Sequence, residues 1–139
     1  MSSMSVNQAE VWEAPFPYAD SVTVVNKDPI TGKMHVSFEG DIRPVVIVSN
    51  DTLNAYGDHV LACQMTTKIG RVLKRHKYLK QHVIRITDKT RIKTAGLDAP
   101  SAILPFKLSI VHKSQLKYKR GVLPPAASSA LLVEVSKFF

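Results

Sequence analysis

The chain has 139 residues, 45% of them apolar, which suits a domain with its own core and argues against a disordered segment. Nineteen Lys and Arg against eleven Asp and Glu leave a net charge of +8, so an anionic partner is expected: nucleic acid, a membrane surface or an acidic protein. A single cysteine, Cys63, excludes an intrachain disulfide framework, and no C-x-x-C or H-E-x-x-H motif suggests zinc, so neither a metal nor a cofactor is expected.

The opening MSSMSVNQAE lacks the basic-then-apolar order of a secretory signal, and no apolar run reaches membrane-spanning length. A cytoplasmic protein without membrane attachment is expected, with residues 1–8 a flexible tail and 9–139 one domain. In EVWEAPF (10–16), Val11 and Trp12 suit a strand, with Trp12 in the core, and the prolines of PFPY end it. Runs at 22–25 and 34–38 flank NKDPITGK as a hairpin, and Met34, Val36 and Phe38 alternate with His35 and Ser37. PVVIVS (44–49) is continuously apolar and reads as a central strand. Ser49 and Asn50 then cap a turn, NDTLNAYGD, that has room for one helical turn ending at Gly57. HVLACQMT (59–66) is the next strand, with Cys63 a buried structural thiol.

TKIGRVLKRHKYLK (67–80) reads as a basic loop that interrupts the sheet, and HVIRIT (82–87) as an exposed strand. DKTRIKTAGLDAP (88–100) is polar and turn-rich. SAILPFKLSIVH (101–112) carries Pro105 inside an apolar run, so it is two short strands or one bulged strand. KSQLKYKRGVLPP (113–125) reads as a basic connector with room for a helical turn. In AASSALLVEVSKFF (126–139), Leu131, Leu132, Val135, Phe138 and Phe139 form one helical stripe, and Pro124 or Pro125 suits its first turn. The expected fold is mainly β: a small antiparallel barrel with short helices and a C-terminal helix.

Several segments in this order resemble the MazF/PemK toxin family. They are AEVWEAPFPYAD (9–20), RPVVIVSND (43–51), LACQMTTK (61–68) and the series APSAIL, HKSQL and RGVLPP before an apolar helix. RPVVIVSN and MTTK carry the specific part of the likeness. The resemblance implies an SH3-like β-barrel with a C-terminal helix that forms homodimers. It implies a toxin of a type II toxin–antitoxin system that cleaves single-stranded RNA at short sequences without a metal, restrained by a small acidic antitoxin.

Metal-free RNA cleavage uses the substrate's 2′-hydroxyl as nucleophile and needs cations and donors converging on the phosphate. Arg43 matches the family's signature arginine. A guanidinium can donate two parallel bonds to a phosphate, and Pro44 stiffens the chain behind it. Thr66 matches the strand-end threonine, so Arg43 and Thr66 are the candidate catalytic pair. Thr67, Lys68, Arg71, Lys74, Arg75, Lys77 and Tyr78 are RNA-binding candidates, the cations tracking phosphates and the aromatic stacking on a base. His35 and His59 are candidate acid–base groups because histidine moves protons near neutral pH.

The sequence also departs from the family pattern. Phe106 stands where an acidic residue is usual, Lys107 where Gln is usual, and Ser109 where Arg is usual. A mechanism built on that acid is not open to this chain, whereas one built on Arg43 and Thr66 is. The segment between Tyr18 and Arg43 is also longer than in compact members. Two other readings stay open at this point: a catalytically impaired relative that binds nucleic acid or protein, and an unrelated SH3-like barrel with a basic surface.

Overall fold

The computed structural model describes residues 5–15, 22–27, 29–32, 34–39 and 42–139, with backbone alone for 22–27 and 34–39. Among the described residues, eight strands and four α-helices follow in chain order: β1 (Glu10–Pro15), β2 (Val22–Lys27), β3 (Met34–Glu39), β4 (Ile42–Ile47), α1 (Asp51–Tyr56), β5 (His59–Thr66) and α2 (Ile69–Arg75), then β6 (Ile84–Ile86), α3 (Lys89–Thr94), β7 (Ser101–His112), β8 (Tyr118–Val122) and α4 (Pro125–Phe138). Six strands make one curled antiparallel sheet in the order β6-β7-β5-β4-β1-β8, and β2 pairs with β3 in a separate ribbon. The fold is the expected one, mainly β with short helices and a C-terminal helix. Among the described residues no helix is long and apolar enough to cross a membrane.

Continuous apolar runs mark strands covered on both faces. On one face Trp12, Val45, Ile47, Val60 and Ala62 meet Val6 and Leu116. On the other, Val11, Val46, Cys63 and Met65 pack under Ala95 and Leu97 and under Ala127 and Leu131 of α4. A third cluster, Val83, Ala102 and Leu104, receives Ile69, Val72 and Leu73 of α2. Cys63 is fully buried and burial pushes its thiol pKa up to about 12, so it is an inert core group as expected. Trp12 is also in the core, its indole N–H donating to Glu10 at 3.1 Å.

Five local expectations are corrected. Residues 5–8 are not a loose tail: Val6 is buried, Asn7 N donates to Glu10 Oε1 at 2.7 Å, and Gln8 N donates to Asp51 Oδ1 at 2.7 Å. The basic loop contains α2, because Ile69, Val72, Leu73 and His76 line up on one side and the cations on the other. The turn-rich stretch contains α3, opened by Asp88, which accepts from Arg91 N at 3.2 Å, and closed by Gly96 at φ 70°. There Leu97 N bonds Ile92 O and Gly96 N bonds Lys93 O, a paired closure that needs a left-handed residue. The connector after residue 113 contains β8, tied to β1 by pairing and by ion pairs from Lys119 to Glu10 and from Arg120 to Glu13. The strand expected over 82–87 is only Ile84–Ile86, β6, an edge strand that exposes Arg85 as expected but fully buries Ile86.

β7 is one bulged strand. Cys63 pairs with Leu108 but Gln64 pairs with Leu104, which leaves Pro105, Phe106 and Lys107 outside the ladder. Asn50 caps α1 by accepting from Leu53 N at 3.0 Å, and Ser49 binds buried Asn54, so both are turn residues as expected.

Candidate active site

β4 and β5 run antiparallel with Val45 opposite Gln64, and continuing that register places Arg43 opposite Thr66. Directly opposed residues of an antiparallel pair project from the same face of the sheet. On its other side Arg43 pairs with Ala14 of β1. Thr66 in turn pairs with Ala102 of β7. Three strands thus bring Arg43, Pro44, Met65, Thr66 and Ser101 together, and the chain leaving β5 adds Thr67 and Lys68. These seven residues line a cavity of about 240 Å³.

Its chemistry is a cation-and-hydroxyl lining on an apolar floor. Arg43 is half-buried and Thr66 nearly buried, so both side chains are held by their strands. The Thr66 hydroxyl accepts from Lys68 N at 3.1 Å, which leaves its own O–H to donate. Lys68 and Thr67 are exposed at the mouth. Ser101 is buried and donates to Ala99 O at 3.0 Å. Among the described residues no group of three or more His, Cys, Asp or Glu is placed to hold a metal ion.

The candidates read from sequence fall into three sets. Arg43, Thr66, Thr67 and Lys68 share the cavity. Arg71, Lys74, Arg75, Lys77 and Tyr78 lie on or just after α2, all exposed, with Lys77 Nζ 5.1 Å from the centre of the Tyr78 ring. His59 does not join them. His59 opens β5 while Thr66 closes it, so seven residue steps, roughly 23 Å at the rise of a strand, separate them. His59 instead packs edge-on against His112 at 4.9 Å, at the opposite end of the strand from the cavity. His35 lies on β3 opposite Asn26, and its side chain is outside the described residues. Sequence reasoning missed Ser101 and Met65. Both lie in segments that carry the likeness, MTTK and APSAIL, but a buried Met and Ser announce no chemistry by residue type, and Ser101 arrives only through the pairing of β7 with β5.

Comparison with known proteins gives a consistent likeness. The family model for PemK-like, MazF-like toxins of type II toxin–antitoxin systems matches residues 7–139. Endoribonuclease MazF of Staphylococcus saprophyticus subsp. saprophyticus is 33% identical over 98 residues, 70% of this chain and 70% of its own length. A mycobacterial endoribonuclease solved with its cognate antitoxin superposes with a TM-score of 0.59 at 14% identity, over 96% of this chain and 92% of that one. A MazE–MazF structure from Deinococcus radiodurans superposes with a TM-score of 0.58 at 12% identity, over 97% and 96%. The two structures share the fold.

Proposed function

Because the chain belongs to the PemK-like, MazF-like toxin family of type II toxin–antitoxin systems, a family of toxin endoribonucleases, we propose that it cleaves single-stranded RNA at short sequences in the cytoplasm, without a metal. One observation carries this reading: Arg43 and Thr66, on different strands, converge on one cavity that Lys68 borders.

The cleavage is an internal transfer. The ribose 2′-oxygen bonds to the adjacent phosphorus, the P–O5′ bond breaks, the 2′-hydroxyl loses its proton and the departing 5′-oxygen gains one. Negative charge grows on the non-bridging oxygens in between. Arg43 donates to those oxygens, with Pro44 and a buried strand holding it at fixed aim. The Thr66 hydroxyl donates to a second oxygen. Its backbone-tethered oxygen lone pair fixes the hydroxyl's orientation before substrate arrives. The outward cations of α2 hold the flanking phosphates, and exposed Tyr78 offers a stacking surface for a base.

A cationic groove of this kind also fits a small acidic antitoxin, which would occupy the same charges and exclude RNA. The active unit is proposed to be a homodimer. A second reading, binding without cleavage, draws on Phe106: the position where relatives carry an acid is taken by a ring packed against His76 and Phe138.

The test is cleavage of a mixed single-stranded RNA pool in EDTA by the purified protein and by Arg43→Ala. The wild type should cut and the variant, equally folded, should lose roughly 100- to 1000-fold in rate. Intact RNA with folded wild-type protein rejects the reading, and tight binding without cutting selects the second one.

A further inference from the structure

Of the three residues that β7 leaves out of the ladder, Phe106 reaches across towards two helices. The Phe106 ring lies 5.0 Å from the His76 ring, just past α2, and 5.8 Å from the Phe138 ring at the end of α4. Phe138 stands edge-on to His82 at 5.1 Å, and His82 Nδ1 lies 2.6 Å from Glu134 Oε2. A ladder of rings thus joins the end of α2, the β7 bulge and α4.

α2 needs such a hold. Seven residues are too few for a helix to persist in water by itself. Its N-cap, Lys68, makes no side-chain cap bond, and Gly70 sits in its first turn. Its first end is tied to the cavity by the Lys68 N to Thr66 Oγ1 bond. Its apolar row, Ile69, Val72 and Leu73, rests on the third cluster, with Phe106 against the same cluster. Its far end meets Phe106 through His76. Lys74 and Arg75, and then Lys77 and Tyr78, follow or surround that far end on the exposed side.

We propose that Phe106 is a positioning residue: its ring clamps the end of α2 so that the cationic outer face lies beside the Arg43–Thr66 cavity, and RNA binding depends on it while the chemical step does not. This rests on the RNA-cleaving reading above. It also gives the departure from the family pattern a use, since a bulged ring serves substrate placement where an acid would serve elsewhere.

The experiment compares the full-length wild type with Phe106→Ala, Phe106→Leu and His76→Ala. Cleavage of a single-stranded RNA pool in EDTA gives apparent KM and kcat. Binding of a 2′-O-methyl RNA pool, which cannot be cut, gives affinity against salt. Hydrogen exchange over residues 69–76 reports the docking of α2. Phe106→Ala should raise KM about tenfold and, through release of about three phosphate contacts at roughly 0.7 each, flatten the salt slope by about two. Its kcat should stay within about twofold, with faster exchange over 69–76, and Phe106→Leu should recover most of the loss. Should Phe106→Ala fail to fold, His76→Ala, which removes the ring Phe106 holds, is expected to show the same KM rise and flatter slope. Wild-type KM and slope in the folded variant, or a fall in kcat at unchanged KM, overturns the proposal. The two ideas separate cleanly. A wild type that binds but never cuts, with the slope still changed in the variants, sinks cleavage and keeps the clamp. A wild type that cuts like every variant sinks the clamp and keeps cleavage.

Discussion

The two ends of β5 make an instructive contrast. At the His59 end a cavity of about 570 Å³ is lined by Val6, Asp51, Asn54 and Lys113, among others. At the Thr66 end the cavity holds about 240 Å³. Size favours the first, chemistry the second. At the large cavity three of the lining polar side chains are engaged with neighbours outside it: Asp51 accepts from Gln8 N at 2.7 Å, Asn54 is locked to Ser49, and Ser114 Oγ sits 2.7 Å from His112 Nδ1. At the small one Thr66 keeps a hydroxyl proton to give, and Arg43 and Lys68 bring positive charge from two directions. A site for a phosphodiester is marked by convergent donors rather than by volume.

The sharpest way to break the contrast is a paired substitution. Thr66→Val keeps shape and removes the donor, and should lower kcat/KM for RNA roughly 100-fold. His59→Ala, at the other end, should change it less than about twofold. Equal losses from the two, measured on folded proteins, would mean that the ends do not differ in function. A smaller effect is expected from charge. Reversing Lys74 and Arg75 together to Glu should raise KM about tenfold at low salt and converge on the wild type as salt rises. Asp51→Asn should leave KM where it is. A salt-independent loss in the double variant would show that the helix itself had been disturbed.

Acid gives a third, weaker probe. Burial holds the His76 pKa below its usual value, with help from Lys107 and Arg75. A proton is therefore disfavoured on the docked ring. The contribution of His76 is fully present above the ordinary histidine value of 6.5 and is lost as pH falls below it. Glu134 is held below its usual 4.5 by His82 and then Lys137, so its contribution stands above that value and fades only as pH falls further. Protection factors for residues 69–76 should accordingly decline between about pH 7 and pH 5, while those of 51–56 serve as the reference. Rising protection on the α2 side would mean that a protonated His76 gains more from the Phe106 ring than it loses.

Much of this architecture is written in the sequence, and what is hidden is hidden for physical reasons. β4 and β5 are legible because burial on both faces demands near-continuous apolar runs, and β1 because Val11 and Trp12 suit a strand that the prolines end. α2 is masked by its own cations, although Ile69, Val72, Leu73 and His76 keep helical spacing. α3 left its mark only in its caps, Asp88 and Gly96. YKRGV has no apolar alternation to declare β8; it is a strand because β1 offers Glu10 and Glu13 to Lys119 and Arg120, a long-range cause. The site divides the same way. Arg43 and Thr66 sit in recognisable segments, but their adjacency needs the β4–β5 register. Ser101 and the clamp of Phe106 depend on a bulge that Pro105 hints at and does not locate.

The smallest expected effect belongs to the far end and tests whether it is structural alone. Ala9 has φ 75°, a left-handed conformation, yet it is locked in place: its N–H donates to Ile47 O at 2.8 Å and its carbonyl accepts from Leu123 N at 2.9 Å. Ile47 pairs with Ala62, nearer the His59 end of β5 than Thr66. Holding a side chain in that conformation costs about 1–2 kcal/mol. Glycine relieves it but loses about 0.4–1 kcal/mol through the greater freedom of its unfolded chain. The methyl also packs against the core cluster, which trims the gain further. Ala9→Gly should therefore stabilise the protein by about 0.5 kcal/mol, a rise of about 1–2 °C in Tm, with kcat/KM unchanged. A thermal melt and a cleavage assay on one preparation decide it. A fall in Tm would show that the methyl contact outweighs the strain, and a change in cleavage would show that the two ends of the sheet are coupled after all.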